Sequence, residues 1–516
     1  MRRDTKHHGG AVQDRMREPM AGGPVVTDFL QQGIKLHRAA RLTRAISFYQ
    51  KVIQLQIDHP DANHLIGLAM LHRRRKQDRE KVLHHLEYAV SLRPGAWEFH
   101  NDLGNAYWNQ GRVDDAAKAF QNAAALKPDY FQAVYNLGNA RFLQDRFDDA
   151  ISAFRQSVSL DPGWVQAHYR LANCLQYVGR FEEAIEAYEE AIKRKPELSD
   201  AHFGRAITLL KVGRFAEGWR EYEHRLADDS FRSILPPGSP VWNGGDFSAK
   251  TLLVYGEQGI GDVLHFIRYL PMVQRLGGRT VLVCDSSLHP LLRESMTNTE
   301  LLDKRRLEKA PDQIEFDIHV PLMSLPGIFA TTPETIPCRV PYLSVNRSKT
   351  NQWTKRLHRN RINVGLVWAG NPSQKDDKHR SCRLADLAPL ADINGVAYYS
   401  LQKGPGSEQL HENSGGFELI DFSGDLEDFS DTAALIEALD LLITVDTAVA
   451  HLAGGLACPV WVLLWFGHCW RYPRSGESSP WYPGMRLFRQ PRIGDWENVA
   501  TQAATALARY VSDHRK

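Results

Sequence analysis

The chain has 516 residues, 43% of them hydrophobic and 24% charged, with a formal net charge of +2 at pH 7. That length allows two or three domains with proper cores, and the near-neutral charge gives no polyanion signal, so nucleic acid is not an expected partner. No apolar run approaches the roughly 20 residues of a membrane helix, so no span is expected.

Residues 1–24 are polar and basic with no apolar h-region, and are expected to form a disordered tail without a signal peptide. The cysteines, Cys174, Cys284, Cys338, Cys382, Cys458 and Cys469, show no CxxC pair and no metal-ligand spacing, which suits reduced thiols of a cytoplasmic protein. A period then begins. Leu103, Leu137 and Leu171 are 34 apart, as are Pro94, Pro128, Pro162 and Pro196. In the same register stand Gly104, Gly138 and Ala172, then Ala116, Ala150 and Ala184, then Phe120, Phe154 and Tyr188. This pattern resembles the tetratricopeptide repeat, a helix pair per unit with small residues where helices cross and a proline ending the second helix. Weaker copies on both sides extend the expected α-solenoid to residues 27–228, about six units. Asn105, Asn139 and Asn173 share the period. Either they bond locally to neighbouring backbone or face water, or they form a ladder of amides gripping an extended peptide, which resembles the asparagine ladder in the repeats of O-GlcNAc transferase.

Proline and glycine crowd residues 233–248, so 229–250 reads as a linker. Beyond it, short apolar runs at 251–255, 280–284, 362–368, 397–401, 441–445 and 460–464 alternate with helical stretches, the signature of parallel α/β sheets. Two Rossmann-like lobes are expected, 251–345 and 360–500, separated by the loop-rich stretch 333–361, with a helix and tail over 501–516.

Polar residues gather where these strands end. The run Thr251 to Tyr255 leads into Gly256, Gly259 and Gly261, then Asp262 and His265 at a helix start, where unpaired N–H groups face the ligand crevice of an α/β sheet. Gly259, Gly261 and His265 are expected to form a loop on the acceptor side of the cleft, the glycines leaving room for the backbone to approach the ligand. In the second lobe Gly370 and Asn371 follow one strand, and the charged loop with Lys378 and Arg380 comes next. Gln402 and Lys403 follow a second strand; Asp446, Thr447 and Ala448 follow a third, with His451 one turn on. N–H groups with positive charge suit a diphosphate. Blander roles compete: Asp446 as a helix cap, His451 as a structural histidine, the charged loop as a solvated surface, and Trp461, Trp465, Trp470, Trp481 and Trp496 as packing. His468 and Cys469 have no partners for a zinc site.

The segment Gly259-Ile260-Gly261-Asp262-Val263-Leu264-His265, together with Val445-Asp446-Thr447-Ala448-Val449-Ala450-His451, resembles the heptosyltransferase family of GT-B glycosyltransferases, which use ADP-heptose. The resemblance covers about half the chain. It implies that Asp262 is the catalytic base, that Asp446, Thr447 and His451 bind the donor, and that Lys378 contacts phosphate. Ala448 stands where that family usually has glycine. Repeats followed by such lobes look like bacterial protein glycosyltransferases, some of which modify flagellin. A sequence without an Asp-x-Asp motif points to leaving-group stabilisation without metal. The resulting expectation is an inverting, metal-independent transferase without cofactor, moving a sugar from a nucleotide-sugar donor to a protein hydroxyl, flagellin among the candidates. Two alternatives stand beside it. One is a non-catalytic repeat scaffold with a degenerate transferase domain; the other is a nucleotide-cofactor dehydrogenase, with Asp285 as the ribose-binding acid.

Overall fold

The computed structural model describes residues 23–227, 238–374, 376–412 and 416–514, so the expected tail, apart from Gly23 and Pro24, and the first half of the expected linker lie outside the described residues. Contacts divide the chain into two compact units between Pro196 and Glu197.

The first unit is a run of helix pairs: α1 (Pro24–Arg38) with α2 (Leu42–Leu55), α3 (Pro60–Arg73) with α4 (Arg79–Leu92), α5 (Trp97–Asn109) with α6 (Val113–Leu126), α7 (Phe131–Leu143) with α8 (Phe147–Leu160), and α9 (Val165–Tyr177) with α10 (Phe181–Arg194). The periodic glycines mark the crossings. A Cβ on Gly104 would stand 2.6 Å from the Phe120 ring, and one on Gly138 would stand 2.7 Å from Phe154, so only a hydrogen lets each pair close. A second device ties repeat to turn: His100 Nε2 donates to the Pro94 carbonyl at 2.8 Å, and His168 Nε2 to that of Pro162 at 3.0 Å. Each is two whole periods from the other.

His37 is buried between Tyr49 and His72, with Nδ1 3.3 Å from the tyrosine hydroxyl and Nε2 3.0 Å from His72 Nδ1. Burial, with the neighbouring histidines, lowers it from 6.5 to about 4. Its folded value is depressed, so the unfolded chain takes up the proton first. Stability is full above pH 6.5 and falls as pH drops toward 4, by about 2–3 kcal/mol if the shift is fully developed. Urea midpoints of the repeat transition measured from pH 7.5 to 4 should show this decline, and His37→Gln should flatten it.

The second unit opens with another helix pair, α11 (Ser199–Lys211) and α12 (Phe215–Tyr222). Although the 34-residue period runs through it, its apolar face serves the α/β part. Leu210, Phe215, Trp219 and Tyr222 share one buried core with Leu264, Trp470 and Trp481, and Trp219 Nε1 donates to the Thr331 carbonyl at 2.9 Å.

Two all-parallel sheets follow. The first contains β1 (Thr251–Tyr255), β2 (Arg279–Cys284), β3 (Glu300–Asp303) and β4 (Ile318–Pro321) in the order β3-β2-β1-β4. The second contains β5 (Ile362–Val367), β6 (Val396–Ser400), β7 (Leu419–Asp421), β8 (Leu441–Val445), β9 (Val460–Leu464) and β10 (Met485–Arg489) in the order β10-β9-β8-β5-β6-β7. Strands β6, β8 and β9 are buried along their whole length, as parallel strands covered by helices on both faces must be. The strand order reverses between β1 and β4, and again between β5 and β8. Ligand crevices of α/β sheets open at the carboxyl ends of strands beside such reversals. The stretch 333–361, read as loop, includes the helix Arg347–Thr354. Among the described residues no helix is long and apolar enough to cross a membrane.

Candidate functional site

The two glycine- and aspartate-bearing junctions meet. β1 leads through a turn into the helix Ile260–Phe266, and β8 leads into the helix Ala448–Gly455. Asp262 closes the first turn of its helix by accepting from the Gly259 N–H at 3.1 Å. Gly261 faces the other helix start: a Cβ there would stand 3.2 Å from Ala448 Cα and 3.4 Å from His451 Cδ2. The glycine that was read as room for a ligand is therefore filled by Ala448, and its office is to let two helix starts touch. Gly261→Ala sets about 1–3 kcal/mol of overpacking against a backbone atom against less than about 1 kcal/mol of helix propensity, so a net loss of about 1 kcal/mol is expected. Chemical denaturation of the two chains side by side measures it.

Asp262 is bound a second time. Arg471 Nη2 donates to its Oδ1 at 2.5 Å, and Arg471 Nη1 reaches Cys469 Sγ at 3.0 Å. The guanidinium also lies over Phe266 and Trp470, 5.2 and 4.8 Å from their ring centroids. The next residue, Tyr472, donates its hydroxyl to Asp446 Oδ1 at 3.1 Å. One segment thus holds both aspartates. Burial pushes the Asp446 carboxyl above the usual range, while Arg380, Arg471 and the Tyr472 hydroxyl pull it the other way. Asp446 does not cap the helix that follows: Thr447 occupies the cap position, its Oγ1 3.1 Å from Thr444 Oγ1.

His265 and His451 share one hydroxyl. Tyr482 OH lies 2.9 Å from His265 Nδ1 and 3.1 Å from His451 Nδ1. Burial drives both imidazoles far below their ordinary value, so both are neutral. His265 is completely buried and its Nε2 has no partner. It therefore does not line an acceptor loop, as the sequence suggested. The helix turns it inward. An orphan N–H costs more than an orphan lone pair, so we assign the proton of His265 to Nδ1, donating to the Tyr482 hydroxyl. The Tyr482 proton has two acceptors within reach, His451 Nδ1 and the Tyr342 hydroxyl at 3.3 Å; when it goes to His451, that ring carries an Nε2–H at the edge beside Gly261.

The remaining strand ends divide. A Cβ on Gly370 would meet Arg380 Nη2 at 2.6 Å and Asp377 Oδ1 at 2.7 Å. Its N–H donates to Ser381 Oγ at 2.9 Å, and Arg380 Nη1 reaches the Asp446 carbonyl at 3.4 Å. The end of the charged loop is thereby drawn to the Asp446 end of β8. Asn371 and Lys378 are exposed. Gln402 is spent on the scaffold: Oε1 accepts from Trp368 and Ala369 N–H at 3.0 and 2.9 Å, and Nε2 donates to the Ala369 and Pro405 carbonyls at 3.1 and 2.9 Å. With all four positions used, it has nothing left for a ligand. Lys403 donates to the Leu426 carbonyl. Asp285 accepts from the Ser287 N–H and hydroxyl. In the repeats, Asn139 donates to its own helix at the Tyr135 carbonyl, 3.2 Å away, and Asn173 accepts from Tyr188 at 2.6 Å. The Asn139 bond is within its own helix and the Asn173 bond runs to the next helix, and each amide has further donor or acceptor capacity; Asn105 is half-buried on α5.

Among the described residues His202, Glu221 and His224 have ligand atoms within 4.8 Å of one another. The two rings stack face to face at 3.7 Å with planes 9° apart, and His202 Nδ1 is only 2.5 Å from Glu221 Oε2. Lone pairs lying in parallel planes do not converge on one ion, and a contact that short leaves no room for one. The trio fits a hydrogen-bonded pair under a stacked ring better than a metal centre.

Tetratricopeptide-repeat family models match residues 72–129, 101–163 and 165–198. A curated relative, Protein FlbA of Caulobacter vibrioides, is 29% identical over 289 residues, 52% of this chain and 48% of that protein, so the chain spans about half the length of the curated relative it matches. Among solved structures, a crystal structure of MamA is 25% identical, with a TM-score of 0.29, over 31% of this chain and 92% of that one. The crystal structure of YrrB, titled a TPR protein with an unusual peptide-binding site, is 16% identical, with a TM-score of 0.32, over 35% of this chain and 91% of that one. The N-terminal part of the chain consists of tetratricopeptide repeats, the mark of a protein-interaction scaffold with a protein partner.

Proposed function

We propose that the second unit is an inverting glycosyltransferase of GT-B type that needs no metal and moves a sugar from a nucleotide-sugar donor to a hydroxyl of a protein bound by the repeats, flagellin being one candidate acceptor. The observation that supports this most is the meeting of Asp262 with the Asp446–His451 helix start, where Gly261 touches Ala448. In this reading Asp262 takes the acceptor proton. Its two partners, Gly259 N–H and Arg471, orient the carboxylate and leave each oxygen a further lone pair. The departing diphosphate meets the N–H groups at the start of the Ala448–Gly455 helix, the Nε2–H of His451, and the positive charge of Arg380 and Lys378. A neutral His451 donates a hydrogen bond without adding charge.

The test is Asp262→Asn, which keeps the shape and the Gly259 contact but not the base. Transfer per folded molecule from the best substrate of a nucleotide-sugar panel should fall by about 10²–10⁴-fold, separate from the stability lost by leaving Arg471 without its carboxylate. Full activity in that variant would refute the assignment. The saturated Gln402 and the engaged Lys403 favour a second reading, a repeat scaffold whose α/β unit binds no donor. Calorimetry separates the two: absence of heat with every nucleotide sugar supports the scaffold.

A further inference from the structure

Lys211, the last residue of α11, is 8% exposed, and its Nζ donates to three backbone carbonyls, those of His468 at 2.9 Å, Cys469 at 3.0 Å and Tyr472 at 3.2 Å. Three protons meet three carbonyls. Burial brings the ammonium down from 10.5 to about 7; Cys469 and Asp446 act against that, and Arg489 and Arg474 with it. An apolar side chain here would avoid the desolvation of a charge but would leave the His468, Cys469 and Tyr472 carbonyls without this donor. One and two periods earlier the chain has Tyr177 and Leu143. What the lysine adds is a grip on one segment of the long connection from β9 to β10. Inside that segment Arg471 donates to Asp262 and Tyr472 to Asp446.

We propose that Lys211 is a positioning residue: its three bonds fix the 468–472 segment so that Arg471 and Tyr472 hold the two aspartates at the facing helix starts. This rests on the reading of that crevice as the transfer site. Lys211 touches no reacting atom; it acts through Arg471 and Tyr472.

Cys469 lies within the gripped segment and reports on it directly. In Lys211→Met, thiol labelling followed by peptide mapping should modify Cys469 about tenfold faster or more, from the loss of three hydrogen bonds, while Cys284, buried at the end of β2, and Cys382, buried just after the helix Asp377–Arg380, keep their wild-type rates. Lys211→Arg, which retains charge and donors, should restore most of the protection. In the transfer assay Lys211→Met should lower kcat about tenfold with the donor KM within about twofold. If Cys469 is no faster, or if all three cysteines accelerate together, the lysine serves general stability and the proposal fails. The labelling result stands whether or not the wild-type chain transfers a sugar. A selective gain at Cys469 in a chain that turns over no donor would uphold the grip and sink only the transferase reading.

Discussion

Arg471→Met is expected to cost about 2–4 kcal/mol of stability and, on the proposal that the crevice transfers a sugar, to remove nearly all of that transfer. Breaking a buried ion pair by deleting one partner typically costs about 3–5 kcal/mol, because the other charge is left behind. Here the Asp262 side chain is 24% exposed against 9% for Arg471, so water recovers part of the loss, while the forfeited contacts with Phe266 and Trp470 add to it. Methionine fills much of the volume, which keeps cavity terms small. The functional loss has a separate origin: without the guanidinium, Asp262 keeps only its bond to Gly259 and can leave its place beside Gly261. Urea unfolding of the single variants and of Asp262→Asn/Arg471→Met should show a coupling of about 1 kcal/mol or more, since the double variant carries no stranded charge. Additive losses would mean that the pair does not act as one. Arg471→Lys should fall between, because an ammonium reaches the carboxylate or the Cys469 sulfur but lacks the fork to reach both.

Why Arg471 was invisible in the sequence is instructive. Asp262, Asp446 and His451 could be read because each stands just beyond an apolar run whose length marks a strand, at a place where a sheet exposes N–H groups. Arg471 and Tyr472 sit in the connection from β9 to β10, with no period and no strand beside them, and Arg471 finds its partner 209 residues away. The tryptophans of that stretch announced packing, which is what Trp470 and Trp481 do. The strands divide the same way. β1, β5, β6, β8 and β9 are mostly apolar runs, broken by residues such as Asn363 in β5 and Ser400 at the end of β6. β3 reads Glu-Leu-Leu-Asp and β7 has three residues, while β4 ends on Pro321, tolerated because β4 is an edge strand. Repeats were the most legible part, since Gly104 and Gly138 must be glycine wherever Phe120 and Phe154 cross them. The asparagine period was legible too, but the bonds at Asn139 and Asn173, one within a helix and one to Tyr188 on the next, were not.

Glu257 is five residues ahead of Asp262 in the same glycine turn, and a kinetic survey could mistake it for a catalytic acid. Its side chain has 0% exposure, and that of its partner Arg225 has 2%. Arg225 Nη2 donates to Glu257 Oε1 and to Ser324 Oγ, both at 2.8 Å, and Nη1 donates to Glu223 Oε1 at 2.8 Å and to the Tyr222 carbonyl at 3.0 Å. Glu257 also accepts from the Met323 N–H at 3.3 Å, at the end of β4 beside the first reversal of strand order. Burial pushes the Glu257 carboxyl up and Arg225 pulls it down. Glu257→Gln keeps the shape and loses the charge, leaving Arg225 to Glu223, whose side chain is 46% exposed. A cost of about 3 kcal/mol is expected, and Arg225→Met/Glu257→Met should cost less than either single change because no charge is stranded. The discriminating measurement is kcat per folded molecule, with the folded fraction taken from the denaturation curve. On the proposal that the unit is a transferase, a structural Glu257 gives an unstable chain whose folded fraction turns over normally, whereas a stable chain with collapsed kcat would move Glu257 into the chemistry.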